Sequence, residues 1–418
     1  MAVIALVPAT LVWAGDFYSD QSEILVERNG KIVQRLPAER IRLDYPDAPF
    51  RAEANAATDS NGTIWVVVSL GSSGKGFKGA DRLFRSDDGG KTWSSRRLVN
   101  LRPVSAFTVL KNDTLLLATL RTRGEQNLAL LIHKSKDQGK TWQRISTIPA
   151  EPFDNIGEGK IAFTQLKDGT ILLPVGRWNT NRTEKINLRH HYVFRSTDGG
   201  KSWAADGGDP NLKRVGQGPA SYWPGLGGTF PGCGETQIIQ LVNGKLLAAL
   251  RFSGPPQPWH KQKIDPWGGS HKTDSVGRHF KHVFLGDSFD DGRSWKNLRP
   301  AWDAKGQGLL IFGEAHGQLV QVSDGRVVLV NDRRYPCELG ETRARVSRDD
   351  GQTWDQEIYH LCGGHGYPAS VVRPDGTIVT ITGSSLLGAC PGRDLRYAKL
   401  LEKPQVWVIR WKPPTRHR

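Results

Sequence analysis

Glu235 and Arg251 bracket the segment GETQIIQLVNGKLLAALR, and Tyr367 opens the stretch YPAS. A carboxylate, a guanidinium and a phenol are residue types for proton transfer, for holding an anion and for nucleophilic attack. The apolar runs on either side of Asn243-Gly244 alternate as in a β-hairpin. The residue leading into the first strand and the residue leaving the second then share one edge, opposite the turn. The same reading of each comparable hairpin collects Arg51 before the first, Arg121 after the second, and Arg177 and Trp178 after the third. Glu235 and Arg251 flank the fourth, Glu314 and His316 precede the fifth, Arg333 and Arg334 follow it, and Tyr367 precedes the sixth. Links between paired hairpins open on that edge too and add Asp81 and Arg343. A single arginine at a strand end is more often solvated or packed along its own stem than a ligand. Several arginines gathered in one place repel one another and lose hydration, which points to an anion among them.

The elements that must position these residues are visible as repeats. One octapeptide recurs five times, as SDDGGKTW from Ser86, SKDQGKTW from Ser135, STDGGKSW from Ser196, SFDDGRSW from Ser288 and SRDDGQTW from Ser347. In each, an aspartate and hydroxyls can bond the backbone of a tight turn, glycine supplies positive φ, and tryptophan plugs the space beside it. These are turn staples rather than catalysts or metal ligands. A second pattern, two apolar runs around an Asp/Asn/Gly turn, occurs six times, beginning at Ala54, Ala106, Ala162, Thr236, Gly317 and Ala369. An octapeptide follows each of the first five at the turn of a second hairpin. Two hairpins make a four-stranded antiparallel blade, and six blades make an all-β propeller whose radial packing protects the sheet edges. The sixth hairpin lacks an octapeptide; the run from Gln405, with an N-terminal strand near Glu23 to Leu36, is expected to complete that blade. Residues 1–418 then form a single domain.

This pattern resembles the sialidase (neuraminidase) superfamily, six-bladed propellers with Asp-box (BNR) repeats, over essentially the whole chain. The resemblance implies an exo-acting, retaining glycoside hydrolase that removes terminal sialic acid or a related 2-keto-3-deoxy sugar acid. Carried onto matching positions, it makes Tyr367 the nucleophile, Glu235 the base that draws its proton, and Asp81 in GSSGKGFKGADR the acid. Arg251, Arg51 and Arg343 would hold the substrate carboxylate, with Arg334 and Arg345 as neighbouring alternatives and Arg177 and Trp178 also lining the site. The chemistry is consistent: a carboxylate nucleophile would be repelled by the substrate's own carboxylate, and a tyrosine is not. One departure stands out. The family's Arg-Ile-Pro motif is replaced by FRAEAN, which keeps Arg51 and makes Glu53 a candidate substituted residue. Two long connections, Gly207 to Gly234 and Phe252 to Lys281, enlarge the same face, and in the second Trp259 and Trp267 can stack on sugars or plug a loop.

Composition narrows the remaining classes. With 38% hydrophobic and 24% charged residues the chain is globular, and no apolar run is long enough for a membrane-spanning helix. Lys and Arg exceed Asp and Glu by 57 to 42, which favours anionic partners. The cations are dispersed and no aromatic-interleaved motif accompanies them, so acidic glycans are favoured over nucleic acid. The apolar run Ala2 to Gly15 is either the remnant of an export signal or a first strand; export places the protein outside the cell or in a periplasm, and the cytoplasm stays open. Cys233, Cys337, Cys362 and Cys390 lack zinc-site spacing; Cys337 with Cys362 is the expected disulfide if the chain is exported, and four thiols fit equally. No metal or organic cofactor is implied. Two other functions keep the propeller: a lyase or glycosidase working on acidic polysaccharide through Tyr367 with His316 or His365, and a non-catalytic glycan-binding propeller.

Overall fold

The computed structural model describes residues 22–44, 53–69, 81–101, 103–124, 126–157, 160–178, 189–205, 233–254, 280–301, 314–333, 341–363, 366–383 and 405–415. These form an all-β, six-bladed propeller with no helix among them. Blade 1 runs outward from the axis as Glu53–Thr58, Ile64–Ser69, Arg82–Ser86 and Ser94–Arg97. Blade 2 follows as Val104–Val109, Leu115–Arg123, Gln126–Ser135 and Gln143–Pro149, and blade 4 as Cys233–Gln240, Leu246–Gly254, Phe280–Ser288 and Lys296–Pro300. In blade 3 the inner position is split, with Asn155–Ile156 and Thr164–Gln165 both pairing with Ile171–Trp178 before Arg189–Ser196 and Ala204–Ala205.

The N-terminal strands close the ring differently from the expectation. Glu39–Leu43, not the segment from Glu23 to Leu36, pairs with Val406–Trp411 and completes blade 6 outside Ala369–Val372 and Ile378–Gly383. Glu23–Arg28 and Lys31–Pro37 instead extend blade 5 beyond Glu314–Gln321, Val327–Arg333, Glu341–Ser347 and Ile358–Gly363, giving a six-stranded sheet. The reason is in the sequence between them. Asn29 and Gly30 both take positive φ, the requirement of a two-residue hairpin turn, so 23–36 had to be two strands.

Successive blades bury their apolar faces on one another. Leu116, Ile132, Leu173 and Val175 lie between blades 2 and 3, and Val330, Val346, Ile378 and Ile409 between blades 5 and 6. Ala54, Val66, Val379 and Val408 close the ring between blades 6 and 1. The octapeptides reinforce the same seams. In the first, Asp88 accepts the Thr92 amide at 2.9 Å and its hydroxyl at 2.6 Å, while Gly90 bonds Ser86 Oγ at 2.7 Å. Desolvation opposes the charge on Asp88, yet those donors outweigh it and hold the carboxyl well below its usual range. Trp93 Nε1 donates to the Gly90 carbonyl at 3.0 Å, and Arg410 of blade 6 donates to the Gly89 carbonyl at 2.9 Å. Ser146 of blade 2 likewise donates to the Gly200 carbonyl of blade 3 at 2.6 Å. Each of these boxes therefore fastens its blade to the preceding one.

Blade 5 holds a buried charged cluster where the N-terminal hairpin attaches. His360 Nδ1 meets Glu341 at 2.5 Å and its Nε2 meets Glu27 at 3.1 Å. Burial disfavours the imidazolium, but the Glu341 and Glu27 carboxylates overcome that and raise the pKa from 6.5 to about 9. A raised folded-state value contributes stability that is complete below pH 6.5 and is lost as pH rises through about 9. The melting temperature of His360→Gln should therefore approach that of the wild type as pH climbs from 6.5 to 9.5. A gap of constant size across that window would contradict the assignment. Cys362, close by, is a buried free thiol that burial pushes up to about 11; its expected partner Cys337 lies outside the described residues.

Candidate active site

The six hairpin turns supply a common ruler. Asp59, Leu110, Leu166, Leu241, Val322 and Arg373 each donate their amide to the carbonyl four residues on. Six residues before them stand Glu53, Val104, Lys160, Glu235, His316 and Tyr367, at the axial end of the inner strand of blades 1 to 6. Ten residues after them stand Ser69, Leu120, Gly176, Arg251, Asp332 and Gly383, where the second strand leaves. In a propeller these two rings surround the axis at one mouth, and five of the six inner positions are polar or ionisable.

Their side chains interlock across blade boundaries. Tyr367, 2% exposed, lays its ring on the imidazole of His316 with centroids 3.6 Å apart. His316 Nδ1 lies 2.7 Å from Asp332 and its Nε2 2.7 Å from Glu235. Arg251 forms an ion pair with the same Glu235 oxygen and stands 3.4 Å from His316 Nε2. An imidazole between two carboxylates satisfies both only with a proton on each nitrogen, or with one carboxyl protonated, so this trio shares protons. Glu53 completes the arc: its strand bridges Tyr367, with the Ala54 amide donating to the Tyr367 carbonyl at 3.2 Å. Glu235 and His316 both adopt left-handed φ, 48° and 52°, where the inner strand of each blade bulges against its neighbour. A bulge turns a side chain away from the normal alternation, here towards the axis.

Lys160 is the main residue that sequence reasoning missed. It is buried, and its Nζ donates to the carbonyl of Pro368, next to Tyr367. Burial lowers its pKa from 10.5 to about 7, against the opposing pull of Glu53, Asp332 and Glu235. One charge at the heart of the site therefore changes near neutrality. Lys160→Met should remove a transition near pH 7 from the pH profile of turnover, and an unaltered profile would show that Lys160 does not report to the reaction. Asp332 was missed as well; counting from the turns finds both.

The remaining expected residues are placed as follows. Asp81 is buried between blades 1 and 2, where its Oδ2 accepts from Ser69 Oγ at 3.1 Å and from the Val104 amide at 2.8 Å. It therefore caps the next inner strand while standing beside two positions of the axial rings. Arg343 is buried in the blade 5 cluster, 3.5 Å from Glu341 and in the field of Arg345 and Glu27, on the strand outside the one that carries Asp332. Arg345 is mid-strand and buried. Arg333 meets Glu341 at 3.4 Å. Arg177 lies over the rings of Phe194 and Tyr192 at 4.8 and 5.6 Å and donates to the Pro149 carbonyl at 2.7 Å. Trp178 ends the same strand, paired with Asn155, and Arg121 is exposed at the end of its own. The side chain of Glu314 and residues Arg51, Arg334, His365, Trp259 and Trp267 lie outside the described residues. Among those described, no group of three or more His, Cys, Asp or Glu is arranged to hold a metal ion, and no helix is long and apolar enough to cross a membrane.

The BNR/Asp-box repeat family model matches residues 84–95, the first octapeptide and its flanks. No curated protein matches the sequence. Among solved structures, a protein of unknown function from Dyadobacter fermentans is 16% identical over 93% of this chain and 99% of that one, with a TM-score of 0.59. An α-L-arabinofuranosidase from Fusarium graminearum is 13% identical over 89% and 97% of the two chains, with a TM-score of 0.61. A Hadza microbial sialidase is 16% identical over 88% and 72%, with a TM-score of 0.55. At these identities the likeness is one of fold: a six-bladed propeller, which in this chain carries an Asp-box repeat.

Proposed function

We propose that the protein is a glycoside hydrolase that removes a terminal sialic acid, or a related 2-keto-3-deoxy sugar acid, with retention of configuration. The observation that carries this reading is the phenol of Tyr367 at the axial mouth, its ring on an imidazole that is itself bonded to Glu235. Glycoside hydrolases of this fold, sialidases and arabinofuranosidases, support the general class. In this reading the Tyr367 oxygen attacks the anomeric carbon and its proton passes to Glu235, whose change of charge is spread over His316, Asp332 and Arg251. The bond to the leaving oxygen breaks as Asp81 protonates it. Water then attacks the tyrosyl-linked sugar, giving up a proton to Asp81, and Tyr367 leaves with its oxygen reprotonated from Glu235. Arg251, the most solvent-accessible cation of the described cluster, faces the substrate carboxylate.

A second reading has a specific observation behind it. Glu53, Glu235 and Asp332 are all buried around Tyr367, and the charge of Arg251 is already met by Glu235. Two carboxylates serve the hydrolysis of a neutral sugar without any guanidinium clamp. Proton NMR during hydrolysis of matched sialoside and arabinofuranoside substrates separates the cases. The proposal expects cleavage of the sialoside with the first product in the starting configuration. Cleavage of the arabinofuranoside alone would transfer the function to the second reading, an inverted sialic acid product would overturn the proposal, and an unsaturated product would overturn both.

A further inference from the structure

The outer rim between blades 1 and 2 carries a groove of about 430 Å³. Its described walls are Arg96 and Arg97 from the last strand of blade 1 and Lys140 and Arg144 from the Asp-box turn and last strand of blade 2. Its floor is Leu98, Leu101 and Trp142, with Val99 raised at the side and 69% exposed. No carboxylate is among the described lining residues. The side chains of these four cations make no hydrogen bond or ion pair with a described residue. Three arginines elsewhere on the surface are matched: Arg85 with Asp87, Arg326 with Asp324 and Arg348 with Asp355. The comparable groove between blades 4 and 5 includes Asp324 and Asp350 in its wall.

One further feature agrees with a positive potential in the groove. His133, also lining the groove, is pushed down to about 4, by burial and then by the charge of Arg144. Like charges converging on an apolar floor are stabilised by an anion that also has an apolar face.

We propose that this groove is a secondary binding site for an acidic oligosaccharide, its carboxylate or sulfate groups taken by Arg96, Arg97, Lys140 and Arg144 and its sugar faces laid over the apolar floor. Guanidiniums engage such groups bidentately, and pyranose rings supply the apolar faces. Nucleic acid fits less well, since the groove presents no open aromatic face on which bases would stack. The site stands on the outermost strands, away from the axial cluster, and holds whether or not the proposed hydrolysis is correct.

Binding by calorimetry of a heparin octasaccharide and a sialic acid octamer tests it, with a 20-base-pair DNA duplex alongside. The triple variant Arg97→Glu, Lys140→Glu, Arg144→Glu should lose about tenfold or more in affinity for at least one oligosaccharide, a loss that charge-assisted contacts of this kind support. A control with the same change of net charge, Lys31→Glu, Lys91→Glu, Lys201→Glu, should stay within about twofold of the wild type, since its positions are exposed elsewhere. The heparin and sialic acid arms tell sulfate from carboxylate. Failure of the wild type to bind either oligosaccharide, equal losses in both variants, or a groove-dependent preference for the duplex would overturn the proposal. Release from a small fluorogenic glycoside reads the axial site separately, and the groove variant should leave it unchanged.

Discussion

Tyr367→Phe is expected to lower kcat by about a thousandfold or more, because the substitution removes the one atom that would bond to the sugar. The surroundings make the experiment clean. Phenylalanine keeps the ring that packs on His316 and leaves untouched the backbone carbonyl that accepts from Ala54. The propeller core, built from blade-to-blade aliphatic contacts, does not include the phenolic oxygen. Far-ultraviolet circular dichroism and melting temperature should therefore stay close to wild type while turnover vanishes. A fall in kcat of less than about tenfold would show that the phenol is not the nucleophile.

Glu235→Gln should rank next, with a loss in kcat of about a hundredfold to ten-thousandfold, the usual range for a positioned general base. Glutamine occupies nearly the same volume but carries no charge, so the ion pair of Arg251 with Glu235 and the charge of Glu235 beside His316 are both lost. Because Arg251 is then released from Glu235, substrate binding through its guanidinium should hold or improve. The expected signature is a lowered kcat with KM unchanged or reduced, which a general loosening of the site would not give. An unchanged kcat would remove Glu235 from the proton pathway.

The architecture was largely legible because its signals are local and repeated. Ser86 to Trp93 and its four counterparts are self-contained turns, and each Asp/Asn/Gly hairpin fixes its own register. Tyr367, Glu235 and Arg251 were accessible for the same reason: they sit at fixed distances from such turns. Lys160 escaped because the inner strand of blade 3 is short and irregular there, leaving no clean alternation to point at it. Asp332 lay hidden inside a strand run next to two conspicuous arginines. Only counting from the turn in every blade at once reveals both. The N-terminal error has a different origin. Apolar alternation alone does not say which blade a strand joins, although the Asn29-Gly30 turn does say that two strands are present. The dual position of Asp81, capping Val104 and bordering the axis, is a tertiary fact that no local pattern encodes.

The identity of the nucleophile is the central claim, and three buried carboxylates stand close enough in the fold to compete for it. Trapping decides among them. The protein would be incubated with the fluorinated, slowly turning-over analogue of the proposed sugar, then digested and mapped by mass spectrometry. The expected result is one sugar adduct per chain, on the phenolic oxygen of Tyr367. An adduct on Glu53, Glu235 or Asp332 would contradict the mechanism and establish a carboxylate nucleophile in the same propeller.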